Sequence, residues 1–226
     1  MRDRQTSSGS RSTADVVFEQ LHEDIASLTI LPGAKISEAD VARRFGVSRQ
    51  PARDAFRRLH NLNLLEIRPQ RATVVRRFSL AEIENTRFVR LAVELEVMER
   101  ACQVWHQRHS EALADNISQQ SDALDADDAA EFHELDYGFH KLICDLSGLP
   151  KAFETISGCK RKVDRLCVLS LSNQESVSDV LGDHHAIADA LIRRSSQDAR
   201  DLIRLHVSRL DATISEIHQT HSDYFQ

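Results

Sequence analysis

The sequence contains few of the residues that end helices, and its cysteines do not have the pattern that cross-links a small fold. It contains seven glycines and four prolines in 226 residues. Its four cysteines include no C-x-x-C pair and all follow residue 100: Cys102, Cys144, Cys159 and Cys167. This pattern is typical of reduced thiols in a cytoplasmic protein, and it disfavours a disulfide framework or a zinc ribbon.

Long apolar runs are also missing. The N-terminal stretch MRDRQTSSGSRST has none, so it does not read as a secretory signal. No uncharged apolar run approaches membrane-spanning length, and we expect no membrane contact. Residues 1–12 are polar and rich in serine, which predicts a flexible tail. The apolar share of 41% still suffices for folded cores, and the length suits two domains.

Basic charge is scarce overall but concentrated near the N-terminus. The formal net charge is −6. Residues 1–78 carry 14 Lys+Arg against 9 Asp+Glu, whereas the rest of the chain carries 15 against 26. A basic module joined to an acidic one predicts a polyanionic partner for the first module only. A chance fluctuation would give the same totals, so the positions of the arginines must decide.

The segment around Gly46 has the pattern of a helix-turn-helix. Ser37 can cap a first helix, and Gly46 ends it with a residue that tolerates positive φ. Ser48 caps a second helix, whose first turn accommodates Pro51. The connection between the two helices is very short, which is the signature of this motif.

Strands are expected only after this motif. The segments LLEIR and ATVVRR flank Pro69-Gln70-Arg71 and predict a two-stranded wing with a basic tip. From Ser79 onward the pattern is helical, with Ser79 and Glu82 forming a capping box. After the first long helix, further helices are expected near residues 110–126, 128–147, 150–172, 178–194 and 196–222. The predicted fold class is therefore mainly α: a winged helix-turn-helix domain over 13–78 with a small β-wing, then an all-α helical bundle over 79–226.

The second helix of the motif presents a basic outer face. Its apolar inner positions are Ala52, Ala55, Phe56 and Leu59, and its outer positions are Arg49, Gln50, Arg53 and Arg57. Arginine donates paired hydrogen bonds to guanine and also neutralises phosphate. Ser48 and the free N–H groups at the helix start suit a phosphate, and Arg68 and Arg71 can reach the backbone or the minor groove. We therefore predict double-stranded DNA as the partner, with a merely solvated basic face as the alternative.

A second group of polar residues lies in the helical part. Asp136 and His140 are four residues apart and share one helix face. His184 and His206 lie beside apolar neighbours at a spacing that turns them inward. One carboxylate and three imidazoles suit a divalent ion such as Zn or Ni. From spacing alone this signal is weak, and a hydrogen-bonded core histidine is the better explanation for any single one of them, since the chain has 11 histidines.

The chain resembles a known family at the basic module. The stretch LPGAKISEADVARRFGVSRQPARDAFRRL, followed by LLEIRPQRATVV, is similar to the winged helix of GntR-family bacterial transcription regulators. The resemblance implies DNA contacts by Ser48, Arg49, Gln50 and Arg53, with the wing at Arg68 to Arg71. Many relatives carry glycine in the wing tip, where this chain has Gln70 and Ala72.

The helical remainder resembles the ligand-binding FCD domain of the FadR subfamily. That resemblance implies a metal held by Asp136, His140, His184 and His206, and it excludes the neighbouring His185 and the earlier His133. It also implies a small organic or sugar acid as effector. Arg90 can pair with the effector's carboxylate, with Arg87 as a second candidate. The alternative is that both arginines form salt bridges, with Glu94 or Glu84.

Three functions remain open on these residues. The first is a ligand-responsive DNA-binding repressor, acting as a homodimer on a roughly palindromic operator because one recognition helix reads few base pairs. The second is a metal-dependent hydrolase or lyase with a DNA-binding appendage, although no H-E-x-x-H, G-x-S-x-G or P-loop pattern is present. The third is a helical protein that only dimerises, which leaves the basic module unexplained.

Overall fold

The computed structural model describes residues 11–68, 70–170 and 174–226. Most of the predicted tail and Pro69 of the predicted wing tip lie outside the described residues. The chain divides into two compact units. The first ends at Phe78 and also includes Asp223–Gln226, and the second is Ser79–Ser222.

The first unit contains three helices and three short strands over its described residues. In chain order they are α1 (Thr13–Ala26), β1 (Lys35–Ile36), α2 (Glu38–Phe45), α3 (Arg49–Asn61), β2 (Leu65–Glu66) and β3 (Thr73–Val75). Leu21, Ile25, Phe56 and Leu59 of α1 and α3 are at most 1% exposed and form its core. The three helices are therefore held by one shared apolar cluster.

The wing sheet has three strands, not the two that the sequence predicted. The strand order is β1-β3-β2, and both pairings are antiparallel. Val74 of β3 lies opposite Lys35 on one side and Glu66 on the other. The sequence signal missed β1 because two residues are too few to show alternation, and the strand forms only by pairing with a distant segment.

The turn of the helix-turn-helix forms as its residues predict. The Ser37 hydroxyl accepts a hydrogen bond from the Asp40 N–H at 3.1 Å, which caps α2. Gly46 ends α2 with a φ of 63°. Ser48 occupies the N-cap position of α3, but its hydroxyl makes no capping hydrogen bond. The serine hydroxyl expected to cap the helix is therefore not used for that purpose.

The wing tip has a residue with a side chain in a backbone conformation that favours glycine. Gln70 has a φ of 56°, in the left-handed region that costs an L-residue with a side chain about 1–2 kcal/mol. The Arg71 N–H donates to the Arg68 carbonyl at 3.3 Å and closes the turn. The turn therefore forms without glycine, because Gln70 itself adopts the left-handed conformation.

The second unit is helical throughout its described residues. Its helices are α4 (Leu80–Val104), α5 (Gln107–Asp125), α6 (Ala129–Leu146), α7 (Ala152–Ser170), α8 (Gln174–Ile192) and α9 (Ser196–Thr220). A short 3-10 turn, Ser222–Tyr224, follows. The Ser79 hydroxyl accepts from the Glu82 N–H at 3.3 Å at the start of α4. None of the described helices combines the length and apolar character that crossing a membrane requires.

The core of the second unit contains polar groups among its apolar side chains. Phe139 and Ile143 of α6, Ile187 of α8 and Ile203 of α9 are fully buried. Asp136, Glu94 and several histidines are buried with them. Buried charge is costly unless it is paired, so these groups need partners inside the bundle.

We expect opposite effects on stability from the same substitution at two glycines. Gly46→Ala should lower the free energy of unfolding by about 1–2 kcal/mol, because φ there is positive while nothing lies within 4 Å of an added Cβ. Gly182→Ala, in α8 and also with open space around its Cβ, should raise it by about 0.5–1 kcal/mol. Urea unfolding monitored by circular dichroism would measure both, and a shift of the same sign in the two variants would contradict this account.

Candidate DNA-reading face and metal centre

Helix α3 turns one face to the core and the other to solvent. Ala52 and Ala55 are fully buried against α1 and α2. The outward side chains Arg49, Gln50, Arg53 and Arg57 are all exposed, as their spacing predicted. A helix that is packed on one side and basic on the other can enter a major groove without disturbing its own core.

The outward residues of α3 differ in how they are held. Arg53 pairs with Glu38 of α2 at 3.2 Å, and Gln50 donates to Asp54 at 3.0 Å. Arg57 lies 4.0 Å from the same Asp54. Arg49 has no hydrogen-bond or ion-pair partner among the residues that the structure describes. These pairs are exposed and therefore weak, so they leave the cations available to a polyanion.

The two wing arginines have different surroundings. Arg68 donates two hydrogen bonds to Glu66, at 2.8 Å each. The side chain of Arg71 contacts no acidic group in the described part of the chain. Of the two arginines, Arg71 is the one whose guanidinium is not paired with a carboxylate among the described residues.

The second unit brings the four predicted metal ligands together. Asp136 and His140 lie on α6, His184 on α8 and His206 on α9, and all four are buried. One ligand atom from each can be chosen so that all lie within 4.8 Å of one another. The excluded His185 is exposed, and His133 stands outside this cluster.

The cluster has the geometry that a divalent ion requires. An oxygen of Asp136, Oδ1, lies 3.6 Å from His140 Nε2 and 3.4 Å from His184 Nε2. The His206 ring centroid is 5.2 Å from that of His140 and 4.9 Å from that of His184. His184 Nε2 is fully buried without a hydrogen-bond partner. A buried lone pair in a set of three nitrogens and one oxygen fits a first-row metal ion, so this cluster could hold one.

Acidic groups lie behind two of the histidines. His140 Nδ1 is 2.9 Å from Glu94 Oε2, and His206 Nδ1 is 3.5 Å from Asp183 Oδ2, although neither contact is aligned as a hydrogen bond. Carboxylates in such positions orient metal-binding imidazoles and raise their basicity. With Nδ1 facing a carboxylate, both rings turn Nε2 toward the cluster, although His140 Nε2 is also contacted by Arg90.

Two buried cations face the same cluster. Lys160 of α7 forms an ion pair with Asp136 Oδ2, and its ammonium lies 4.6 Å from the centroid of the Tyr137 ring. Arg90 Nε donates to Glu94 Oε1 at 2.6 Å, and its terminal nitrogen lies 3.1 Å from His140 Nε2. The predicted salt bridge of Arg90 is therefore present, and the same guanidinium also reaches the metal cluster.

Arg87 is placed differently from Arg90. It forms an ion pair with Asp211 of α9, a residue that the sequence did not single out as its partner. The carboxylate nearest to its guanidinium is that of Asp211, not that of Glu84. Of the two arginines predicted for an effector, only Arg90 contacts one of the four clustered residues.

The charges of the site are set by burial and by these partners. Burial raises the pKa of Asp136, but the Lys160 ammonium and the adjacent imidazoles of His140 and His184 outweigh it and hold that pKa well below its usual range. Burial also opposes ionisation of Glu94, and His140 and Arg90 lower its pKa nonetheless. Burial lowers the pKa of His184 to about 3 and lowers the pKa of His206. At neutral pH the two imidazoles are uncharged and Asp136 is ionised, which are the states that bind metal.

Sequence reasoning missed two members of this site. Lys160 sits in the run CKRKVDR, which reads as an exposed basic segment, yet it is only 6% exposed. Glu94 was visible only as a salt-bridge partner of Arg90 at i, i+4. Its contact with His140, 46 positions further along the chain, depends on how α4 packs against α6 and has no local signal.

These features define a class of protein: a winged helix-turn-helix joined to a helical bundle that contains a buried cluster of potential metal ligands. Residues 13–75 match the family model described as bacterial regulatory proteins, gntR family, and residues 86–209 match that of the FCD domain. The chain therefore belongs to the GntR family of transcription regulators, in the subfamily with an FCD domain.

Relatives agree with this assignment. The chain is 33% identical over 209 residues to the HTH-type transcriptional repressor RspR of Escherichia coli K12, covering 92% of both chains. It is 24% identical over 206 residues, 88% of each chain, to a Paenarthrobacter nicotinovorans protein named "Probable D-xylose utilization operon transcriptional repressor". Both are named as regulators of transcription. The chain is likewise a regulator and not an enzyme, so the hydrolase or lyase alternative is wrong.

Solved structures share the fold. The Escherichia coli protein McbR/YncC superposes with a TM-score of 0.70 at 18% identity, over 92% of this chain and 100% of that one. Lar, which controls expression of the Listeria monocytogenes agr system, gives a TM-score of 0.68 at 14% identity, over 92% and 99%. At such identities the similarity establishes the architecture alone.

Proposed function

We propose that this protein is a repressor whose binding to a palindromic operator responds to a small carboxylate sensed at a metal in the second unit. The observation that supports this most is the buried group of Asp136, His140, His184 and His206 with Arg90 beside it. It lies in a chain whose first unit is a GntR-family winged helix. Two relatives that are named repressors support the repressor role.

In this proposal α3 reads the operator. Arg49 and Arg53 contact bases or adjacent phosphates, Gln50 contacts a base edge, and the unused Ser48 hydroxyl donates to a phosphate at the helix start. The wing arginines, Arg68 and Arg71, contact the backbone or the minor groove. Arg57 lies further along the helix and contacts the backbone or water.

We expect Arg53→Ala to weaken binding to the cognate operator by about 1–3 kcal/mol and to relax its sequence preference. The physical reason is the loss of a bidentate donor, which in the free protein is held only by the partly exposed Glu38. Fluorescence anisotropy on an operator selected from random DNA would measure it. Arg204→Ala, an exposed arginine on α9, is the matched control. Unchanged affinity and preference in Arg53→Ala would show that α3 does not read the DNA.

We propose Zn or Ni as the metal, because three imidazoles and one carboxylate suit both ions. Asp136 and the Nε2 atoms of His140, His184 and His206 hold it. Once bound, the ion supplies a Lewis-acid centre with positions left for an oxygen ligand. The role of the site in this proposal is sensing.

The charge balance of the site supports an anionic effector. The buried charges of Glu94 and Asp136 are matched by those of Arg90 and Lys160. A divalent ion then adds two uncompensated positive charges to a dry interior, which is costly unless an anion accompanies it. An organic or sugar acid supplies that anion. Arg90 and Lys160, whose partners His140 and Asp136 become metal ligands, are placed to receive its carboxylate. Arg87 is left as a second, more distant candidate because Asp211 holds it.

We expect His206→Ala to lower metal content and to blunt the response to effector, while basal operator affinity changes little. His206 supplies one of four ligands from the bundle, whereas α3 belongs to the other unit. Elemental analysis would give the metal content, and anisotropy with and without candidate acids would give a coupling free energy, about 1–3 kcal/mol in the native protein.

The matched control for that experiment is His185→Ala, which removes an exposed imidazole next to His184. It should retain both the metal and the response. Full metal occupancy in His206→Ala, or an unchanged effector response, would remove this cluster from the mechanism.

We also propose that the protein is a homodimer and that the outer face of α4 contributes to the contact. Phe88 is 72% exposed, the highest value among large apolar side chains in the described residues, and the adjacent Val89 is 44% exposed. An exposed apolar surface of this kind is typical of a contact between copies. Two copies would place two α3 helices on a two-fold operator.

We expect Phe88→Glu to shift the protein toward monomer and to weaken operator binding, because a carboxylate replaces the apolar contact. Sedimentation velocity at several concentrations would measure the shift. Ile192→Glu, which charges an equally isolated apolar residue of α8 (46% exposed), is the control and should leave the assembly intact. A monomeric native protein, or a dimeric Phe88→Glu, would contradict the proposed surface.

A further inference from the structure

Gln120 is a polar side chain in an unusual place. It is 0% exposed in the middle of the second unit, and its Oε1 atom lies 2.7 Å from His184 Nδ1. Its own amide nitrogen donates to Asn116 Oδ1 at 2.7 Å. Asn116 and Gln120 are one turn apart on α5, so the two amides form a continuous chain of hydrogen bonds that ends on a predicted metal ligand.

The direction of this chain is fixed at its far end. Asn116 Nδ2 lies 3.2 Å from the backbone carbonyl of Leu135. A carbonyl can only accept, so the Asn116 amide group must present its NH₂ to Leu135 and its oxygen to Gln120. Gln120 must then donate to Asn116, which leaves its oxygen to accept from His184. By this sequence of forced choices, the Nδ1 atom of His184 carries the proton.

A glycine supports the same arrangement. An added Cβ at Gly138 of α6 would lie 3.2 Å from Asn116 Nδ2, which is closer than most contacts of real Cβ atoms. Glycine inside a helix costs about 0.5–1 kcal/mol relative to alanine. Its presence here leaves the space through which Asn116 reaches Leu135, three residues earlier on the same helix.

The tautomer of His184 matters because a neighbouring carboxylate would stabilise the alternative tautomer. His184 Nε2 lies 3.4 Å from Asp136 Oδ1. If the imidazole proton sat on Nε2, it would point at that ionised carboxylate and be stabilised by it. One proton would then block two ligands at once, the nitrogen of His184 and the oxygen of Asp136. Only the Nδ1–H form carries its lone pair on Nε2, the nitrogen that faces the cluster.

We propose that Asn116 and Gln120 are positioning residues that hold His184 in its Nδ1–H tautomer and so keep the metal site ready before any ion binds. The proposal rests on the metal site proposed above, but its first consequence concerns the metal-free protein. Neither amide touches the ion itself. They act through His184, against the opposite pull of Asp136.

The test compares the ring tautomer with the metal affinity in the full-length protein. The tautomer is read from the ¹⁵N shifts of the His184 ring in chelator-treated protein, with the signal assigned by its loss in His184→Phe. The native protein should show a protonated Nδ1. In Gln120→Met, which keeps the volume and removes the acceptor, the proton should move to Nε2. The affinity for Zn²⁺, measured by competition with a chromophoric chelator, should fall about 10- to 100-fold.

Gln120→Glu is the rescuing variant, because its carboxylate still accepts from Nδ1–H. It should retain the native tautomer and most of the affinity. Gly138→Ala tests the other end of this series of hydrogen bonds. It should lower Zn²⁺ affinity by crowding Asn116, although alanine is the better helix former. Circular dichroism checks the fold of each variant, and if Gln120→Met fails to fold, Gly138→Ala carries the test in its place.

Two results would overturn the proposal. One is a native metal-free protein with the His184 proton on Nε2, and the other is a folded Gln120→Met with native tautomer and affinity. A native protein that shows the Nδ1–H form, responds to Gln120→Met in its ring shifts, and yet binds no Zn²⁺ would refute the metal site while supporting the role of the amides. The two failures are therefore distinguishable.

Discussion

The structure of the second unit depends on the burial of one carboxylate, that of Asp136. An ionised carboxylate in an apolar interior costs several kcal/mol unless it is compensated. Here α7 supplies Lys160, α6 supplies His140, and α8 supplies His184, so helices distant in sequence must pack around one charge. Removing one partner would leave the charge uncompensated. The packing of the bundle and the assembly of the ligand set are thus linked, because two of the residues packed against Asp136, His140 and His184, are also members of the cluster.

A tight ion pair alone would also compensate the buried charge of Asp136. The histidines add nitrogen ligands that carry no charge. Burial keeps the pKa of His184 and His206 low, so they bring lone pairs and no charge. Lys160 and Arg90 then carry the balancing charge from outside the ligand set. Because they are attached to α7 and α4, a change in what occupies the cluster changes the partners of residues on two further helices. In the proposed mechanism, such a site would respond to charge with movement of side chains on several elements.

The sequence predicts the parts of this molecule that depend on local spacing. The turn at Gly46, the basic outer face of α3 and the helical nature of the second unit follow from capping, φ preference and a 3.6-residue period. It fails where pairing is distant: β1 has two residues and becomes a strand only beside β3. Of the site, the four predicted ligands came from a family pattern, since spacing alone favoured core histidines. Lys160 and Gln120 had no signal, because a lysine in a basic run and a glutamine in a polar helix acquire their roles only from the side chains packed against them.

The chain connects the cluster to the first unit at two points along its length. Helix α4 begins at Leu80, five residues after β3 ends at Val75, and the same helix carries Arg90 and Glu94. Helix α9 carries His206, and the residues that follow it, Asp223–Gln226, belong to the first unit. There Phe78 exchanges backbone hydrogen bonds with Tyr224 and Gln226, at 2.8 and 3.0 Å. The first unit is therefore tied by backbone to both helices, and in the proposed mechanism this covalent connection is the route by which a shift of either helix would reach it.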